Sequence, residues 1–156
     1  MTIRPANIDD LDSIRQLFYE TITTINAKDY NQKQILVWSA GYDNVDNWKK
    51  KITAQHFFVA MIEKDIAGFC SLTSDGYLDF MYIHKDFQSN GIASKLLSHL
   101  EHIAIGLNLQ EIRTDASLTA RPFFAKRGFV ISAIQKKFID NVEFENTVMV
   151  KNLGRR

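Results

Sequence analysis

The segment that decides the fold comprises residues 77–97, YLDFMYIHKDFQSNGIASKLL. Residues 77–83 are rich in aromatic and branched side chains at strand length, and the polar residues 84–86 close them, which predicts a β-strand. Apolar residues then recur at helical period, at Ile92, Leu96, Leu97, Leu100, Ile103, Ala104 and Leu107. A strand, a glycine turn and a helix in this order direct unpaired backbone N–H groups outward, which suits a di- or triphosphate. The alternative is a plain strand-to-helix connection with a glycine in its turn.

Composition bounds the class of protein. The chain has 156 residues, of which 46% are hydrophobic and 24% charged, with a formal net charge of +1. This length suits one domain, predicted at residues 1–150 with a frayed tail at 151–156. The small net charge indicates no general attraction to nucleic acid or anionic membranes, and no stretch resembles a signal peptide or a membrane span. We therefore expect a cytoplasmic protein that binds neither.

Periodicity and turn residues predict a mixed order of helices and strands. The predicted helices are one after a cap at Asp9 or Asp10, then residues 31–38, 45–52, 92 to about 106–108, and 119–127. The predicted strands are residues 2–4, 57–62, 66–72, 77–83, 111–115, 129–131, 135–139 and 143–150. Because one helix connects the strands at 77–83 and 111–115, those two strands should pair in parallel. The strands at 57–83 should form an antiparallel meander, and the last two a hairpin.

Two motifs occupy fixed places in this order. Gln88, Gly91 and Ala93 form Gln-x-x-Gly-x-Ala between the strand and the long helix. Ala120 and Phe124, followed by Gly128-Phe129, surround the short helix. Together with the order of elements, both motifs resemble the GCN5-related N-acetyltransferase (GNAT) superfamily over essentially the whole chain.

The resemblance implies a single α+β domain with acetyl-CoA-dependent acetyltransferase activity. Its central sheet would contain about six to seven mostly antiparallel strands with one parallel, splayed pair, flanked by about four to five helices. The strand at 77–83 would bind the pantetheine arm as an added strand, and the loop would hold the pyrophosphate. The predicted cofactor-binding residues are Met81, Tyr82, Ile83, Gln88, Ser89, Asn90, Gly91, Ile92, Ala93, Ser94, Ser117 and Phe124.

Two of these residues depart from the family pattern. Phe124 stands where many relatives carry a tyrosine that protonates the departing CoA sulfur, and Ser117 stands where relatives often have asparagine. Phenylalanine has no proton to donate. Either Tyr82 or Tyr30 takes over this role, or the thiol leaves as a thiolate that solvent protonates.

An acceptor amine must lose a proton before it attacks, since an alkylammonium has a pKa of about 10. Tyr77 and Asp79 alternate to one face of the predicted strand, and either could take this proton directly or through a water. Asp79 is the first choice because a carboxylate within an apolar strand is costly without a partner or a task. The alternatives for Asp79 are an ion pair with Arg113 or a surface position.

Acceptor binding falls to a region rich in aromatic and acidic side chains. Tyr30, Trp38 and Asp29 could bind a cationic or aromatic amine, with a core position as the alternative for Trp38. The histidines show no metal-ligand spacing, so we predict no metal. The single cysteine, Cys70, is expected to be a packed side chain within a strand.

The sequence and this resemblance therefore favour an N-acetyltransferase that acts on the primary amine of a small molecule. A non-catalytic acyl-CoA-binding sensor and a protein lysine or N-terminal acetyltransferase are the alternatives. Monomer and homodimer are both compatible with the sequence.

Overall fold

The computed structural model describes residues 1–154. Within these residues the chain forms five α-helices and seven strands. The helices are α1 Leu11–Thr24, α2 Gln32–Ser39, α3 Val45–Ala54, α4 Ile92–Gly106 and α5 Arg121–Lys126. The strands are β1 Thr2–Pro5, β2 His56–Ile62, β3 Asp65–Leu72, β4 Tyr77–Ile83, β5 Glu111–Ala116, β6 Val130–Ile139 and β7 Val142–Asn152. In this described part of the chain, no helix has the length and apolar character needed to cross a membrane.

The seven strands form one sheet in the order β1-β2-β3-β4-β5-β7-β6. Every neighbouring pair is antiparallel except β4 and β5, which are parallel and are joined by α4. The predicted α+β class, the mostly antiparallel sheet and its single parallel pair are confirmed.

The parallel pair separates soon after it begins. β4 and β5 are in register only at Tyr77 with Arg113 and at Leu78 with Thr114. The Thr114 hydroxyl donates to the Leu78 carbonyl at 2.9 Å and closes the base of this fork. On the other side of β4, Leu72 pairs with Leu78 while Ser71 pairs with Phe80, so Asp79 is the extra residue of a β-bulge. A bulge bends and twists its strand, which helps to open the gap between β4 and β5.

Apolar side chains cover both faces of the sheet. On one face α4 buries a stripe of Leu96, Leu97, Leu100 and Ala104 against the sheet. On the other face α1 and α3 bury an aromatic cluster that includes Phe18, Trp48, Phe57 and Phe69. Because consecutive residues of β2 are buried on alternate faces, this strand is a continuous apolar run. α4 therefore packs against β4 and β5 on one face of the sheet, and α1 packs against β4 on the other.

The structure differs from the predicted elements in three places. β6 is one ten-residue strand, where two shorter strands were predicted, and a register shift between Ile131 and Ala133 accounts for the interruption in its pattern. β7 extends to Asn152 through its pairing with β5, so it enters the segment predicted to be a frayed tail; residues 155–156 lie outside the described residues. Neither Asp9 nor Asp10 caps α1 through its side chain; Asn7 instead caps a 3₁₀ turn that leads into the helix.

Candidate active site

The fork between β4 and β5 opens a cavity of about 390 Å³. We call it the donor cavity. It is bounded by the free part of β4, the end of β5, the loop before α4, and α5. The predicted cofactor-binding residues that line it are Met81, Tyr82, Ile83, Gln88, Ser89, Gly91, Ile92, Ala93, Ser94, Ser117 and Phe124. Asn90 is exposed at the loop tip and is not among the lining residues.

The loop before α4 has a fixed shape. The Gln88 side chain donates to the Ile83 carbonyl at 2.7 Å and ties the loop to the end of β4. Gly91 has a φ of 75°, in the left-handed region, and a Cβ placed on it would meet no atom within 4 Å. Lys95 N makes a hydrogen bond to the Gly91 carbonyl, so the amides of residues 92–94 precede it and have no partner within the helix. Open space therefore lies above amides that suit an anion.

A cation stands beside these amides. Arg127 lines the donor cavity, lies over the Phe123 ring at 4.1 Å, and donates from Nε to the Ser94 hydroxyl oxygen at 2.9 Å. Nη2 donates to the same oxygen. Within residues 1–154 no carboxylate lies at ion-pair distance from Arg127. Arg127 was not among the sequence-predicted site residues, although it immediately precedes the Gly128-Phe129 motif.

The two residues that depart from the family pattern, Phe124 and Ser117, have structural roles. Phe124 is 3% exposed and packs edge-on against Phe129, with ring centroids 5.0 Å apart. The Ser117 hydroxyl accepts from Ala120 N at 3.1 Å and so helps to begin the turn that leads into α5. Both side chains line the donor cavity, but neither offers it a tyrosine hydroxyl or an asparagine amide.

A second cavity of about 290 Å³ lies on the α1 side of the fork, and we call it the acceptor cavity. Tyr30, α2, α3 and the β6–β7 hairpin surround it. Five residues line both cavities: Trp38, Asp79, Tyr82, Asp115 and Ser117. The two cavities therefore meet where β4 leaves β5, which is where reacting groups from both would come together.

Asp79 lies at this meeting point in an ion pair. Its Oδ2 accepts from Lys51 Nζ and from Gln55 Nε2, both at 2.8 Å, and its side chain is 15% exposed. Arg113, the partner considered from the sequence, instead lies 3.5 Å from Asp75. Oδ1 of Asp79 makes no hydrogen bond within the described residues and stays available to a ligand.

Tyr77 lies next to Asp79 on the wall of the acceptor cavity. Its hydroxyl donates to Asp115 Oδ2 at 3.2 Å. Burial raises the pKa of Tyr77 above that of an ordinary tyrosine, and the charges of Asp115 and Asp79 raise it further. The phenol is therefore protonated at neutral pH and serves as a hydrogen-bond donor. Asp115 was not among the sequence-predicted site residues, since its strand pattern alone does not distinguish it from a surface carboxylate.

Aromatic rings form much of the acceptor wall. Tyr30 packs edge-on against Trp38, with centroids 5.1 Å apart, and both lie near Phe144. The Tyr30 hydroxyl accepts from Leu118 N at 2.8 Å, and burial raises its pKa. Burial also raises the pKa of Tyr82, which lines both cavities. Trp38 therefore lines the site as well as contacting the aromatic cluster.

Some predicted site chemistry lies elsewhere. Asp29 accepts a hydrogen bond from Thr119 at 2.8 Å and lines neither cavity, so the structure does not bring it to the acceptor site. Cys70 is fully buried, and this burial raises its thiol pKa, so it is a packed core residue. Among the described residues no group of histidine, cysteine or carboxylate side chains has the arrangement of a metal site.

Known proteins share this architecture. The acetyltransferase (GNAT) domain family model matches residues 26–150. The uncharacterized N-acetyltransferase YafP of Escherichia coli is 29% identical over 127 residues, which cover 81% of this chain and 79% of that protein. A GCN5-related N-acetyltransferase of Rhodopseudomonas palustris superposes with a TM-score of 0.94 at 27% identity, over 97% of this chain and 94% of the other. The PaiA N-acetyltransferase of Thermoplasma acidophilum, in complex with coenzyme A, gives 0.80 at 20% identity, over 97% and 98%.

The forked sheet, the loop before α4 and the family match lead to the same assignment. The chain belongs to the GNAT acetyltransferase family and is an acyltransferase. The resemblance predicted from Gln88, Gly91, Ala93 and the motif around Phe124 is confirmed.

Proposed function

We propose that this enzyme transfers the acetyl group of acetyl-CoA directly to the primary amine of a small molecule. The observation that carries the proposal is the meeting of two cavities at the fork, with five residues common to both walls. A thioester that enters from one side and an amine that enters from the other would touch there without an enzyme-bound acyl intermediate.

Different parts of the donor cavity suit the pyrophosphate and the pantetheine arm of coenzyme A. The free amides of residues 92–94 and the Arg127 guanidinium would bind the pyrophosphate. Among residues 1–154, the edge of β4 beyond Leu78 has no strand partner on the β5 side, so its backbone groups there can pair with the pantetheine arm. The likeness to the Thermoplasma protein, whose structure contains coenzyme A, supports this assignment.

The acceptor cavity favours a small molecule over a peptide. Its volume of about 290 Å³ is at the lower end of ordinary ligand pockets. Walls from α2, α3 and the β6–β7 hairpin surround it on several sides, whereas a peptide would need a groove open at both ends. Tyr30 and Trp38 would contact the acceptor.

Proton removal is assigned to Asp79 with assistance from Tyr77. The protonated amine first gives one proton to Asp79 Oδ1, directly or through a water. The neutral nitrogen then attacks the thioester carbonyl carbon, the carbon–sulfur bond breaks, and coenzyme A leaves as a thiolate that takes up the second proton lost by the nitrogen. Lys51 and Gln55 occupy only Oδ2, so they orient the carboxylate without blocking its other oxygen. Tyr77 would assist as a neutral donor, because its hydroxyl orients the Asp115 carboxylate beside the reacting amine.

Thiol release from acetyl-CoA tests this function against a panel of small primary amines. We expect amine-dependent release of coenzyme A, with one acetylated amine formed for each thiol. Tight acetyl-CoA binding without any amine-dependent release would contradict the proposal and favour a sensor. Release with peptides alone would replace the small-molecule acceptor with a protein one.

A further inference from the structure

Asp115 differs from the other acidic side chains of the acceptor cavity. Asp79 pairs with Lys51 at 2.8 Å, and Glu145 pairs with Arg121 at 3.3 Å. Asp115 accepts a long hydrogen bond from the Tyr77 hydroxyl, and within residues 1–154 it has no cationic partner. Its carboxylate is thus the uncompensated negative charge of this wall.

The position of Asp115 makes this charge effective. The residue is partly buried, and it lines both cavities at the point where they meet. Lys137, the remaining cation of the acceptor wall, is an exposed residue of the edge strand β6, so solvent screens its charge. A charge in a cleft of lower dielectric acts more strongly on a ligand than one in water does. The inner end of the acceptor cavity therefore favours a cation.

The surrounding rings act in the same direction. Tyr77, Tyr82 and Trp38 line the acceptor cavity beside Asp115, and the faces of aromatic rings attract cations. The rings also exclude water from the carboxylate of Asp115. An ion pair between this carboxylate and a cationic ligand is stronger there than in water. A neutral aromatic amine could use the rings but would leave Asp115 without a partner.

We infer that Asp115 is a specificity-determining residue that binds the protonated amino group of the acceptor, so the acceptor is an aliphatic ammonium compound. This inference rests on the proposed transfer to an amine. Asp115 holds the cation at the fork, and Asp79 receives the proton that the nitrogen must lose. Tyr77 is a positioning residue, because its hydroxyl orients the Asp115 carboxylate.

The test compares benzylamine, which is protonated at neutral pH, with aniline, which is not. Steady-state kinetics are measured for the wild type and for Asp115→Asn, Asp79→Asn and Asp140→Asn. Asp140→Asn is the matched control, since Asp140 lies in the β6–β7 turn with a φ of 47° and asparagine tolerates that conformation. We expect Asp115→Asn to raise the KM of benzylamine about 10–100-fold, the range for a lost charged hydrogen bond. The KM values of acetyl-CoA and aniline should change less than about twofold.

The other variants separate binding from chemistry. Asp79→Asn should lower kcat with a small change in the KM of benzylamine, and Asp115→Glu should restore the preference for the charged amine. Equal effects of Asp115→Asn on both amines, or no effect on either, would overturn the inference. An unchanged Kd for coenzyme A shows that the variants are folded.

A binding measurement keeps the inference testable if the proposed function itself fails. Calorimetry is performed with benzylamine and the wild-type complex with coenzyme A, without turnover. Binding that Asp115→Asn weakens would support the role of Asp115 even in a protein that releases no thiol. Absence of benzylamine binding, or binding that is equal in both proteins, would refute it.

Discussion

Tyr82 is the side chain best placed to replace the acid that Phe124 lacks. It lines both cavities, whereas Tyr30 lines the acceptor cavity alone. Burial raises the pKa of Tyr82, so its phenol stays neutral and can donate a hydrogen bond to the sulfur as negative charge develops there.

Replacing Tyr82 by phenylalanine should lower kcat about 100-fold, at the lower end of the range for general acid catalysis. The KM of acetyl-CoA should stay nearly constant, because the ring that packs in the wall remains. Tyr30→Phe is the matched control and should lower kcat far less. Steady-state thiol release measures both variants. Equal rates for Tyr82→Phe and the wild type would instead show that the thiolate leaves without assistance and takes its proton from solvent.

The local sequence predicted a site residue correctly where the backbone conformation favours one residue type. Gly91 was predicted from its position between a strand and a helix, and its left-handed φ gives the physical reason. The partners of Asp79 could not be predicted. Lys51 lies on α3 and Gln55 directly follows it, and the approach of this helix to β4 depends on the packing of the aromatic cluster. Arg127 and Asp115 were missed for the same reason: their importance comes from neighbours distant in sequence.

Two glycines, one directly before α4 and one at its end, offer a direct test of the loop before the helix. Gly91 precedes the helix at a φ of 75°, and Gly106 ends it; a Cβ on either would meet no atom within 4 Å. Only Gly91 has the left-handed conformation, which costs an L-residue about 1–2 kcal/mol. Its Cβ would also project into the open space where a phosphate would approach the amides.

Gly91→Ala should therefore weaken coenzyme A binding about 10-fold or more, because the strained loop no longer presents its amides in place. Gly106→Ala should leave the Kd unchanged and raise the free energy of unfolding by up to about 1 kcal/mol, since alanine is the better helix former. Calorimetry and urea unfolding measure the two effects. Wild-type affinity in Gly91→Ala would show that this loop does not hold the pyrophosphate.

Secondary-structure elements followed from sequence wherever periodicity was unbroken. β4 and α4 have strong patterns and were predicted almost to the residue. The parallel pairing of β4 with β5 was predicted because α4 connects these two strands. The bulge at Asp79 left no trace in the sequence, because one extra residue in a strand is visible only against its partner. The register shift in β6 had the opposite effect, since it interrupted the alternation and made one strand resemble two.

At the scale of the whole molecule, an ion pair joins the first strand to the start of the first helix. Arg4 of β1 donates from Nη1 and Nη2 to the two carboxylate oxygens of Asp10 at 2.8 and 2.9 Å, and Asn7 N donates to the same carboxylate at 2.9 Å. Asp10 is buried just before α1, while the Arg4 side chain is 39% exposed. The hydrogen bonds from Arg4 hold the pKa of Asp10 below that of an ordinary aspartate.

Asp10→Asn should lower the free energy of unfolding at pH 7 by about 1–2 kcal/mol, a value reduced because solvent screens the exposed side of Arg4. A carboxylate whose pKa is lowered by folding stabilises the protein fully above its unfolded pKa of about 4. This contribution is lost as the pH falls through the lower pKa of the folded state, so the curves of wild type and variant should converge in acid. Urea unfolding followed by tryptophan fluorescence measures this convergence, and Asp9→Asn, at an exposed neighbouring position, should match the wild type throughout. A difference between wild type and Asp10→Asn that persists undiminished in strong acid would assign the effect to packing around α1 instead of to the ion pair.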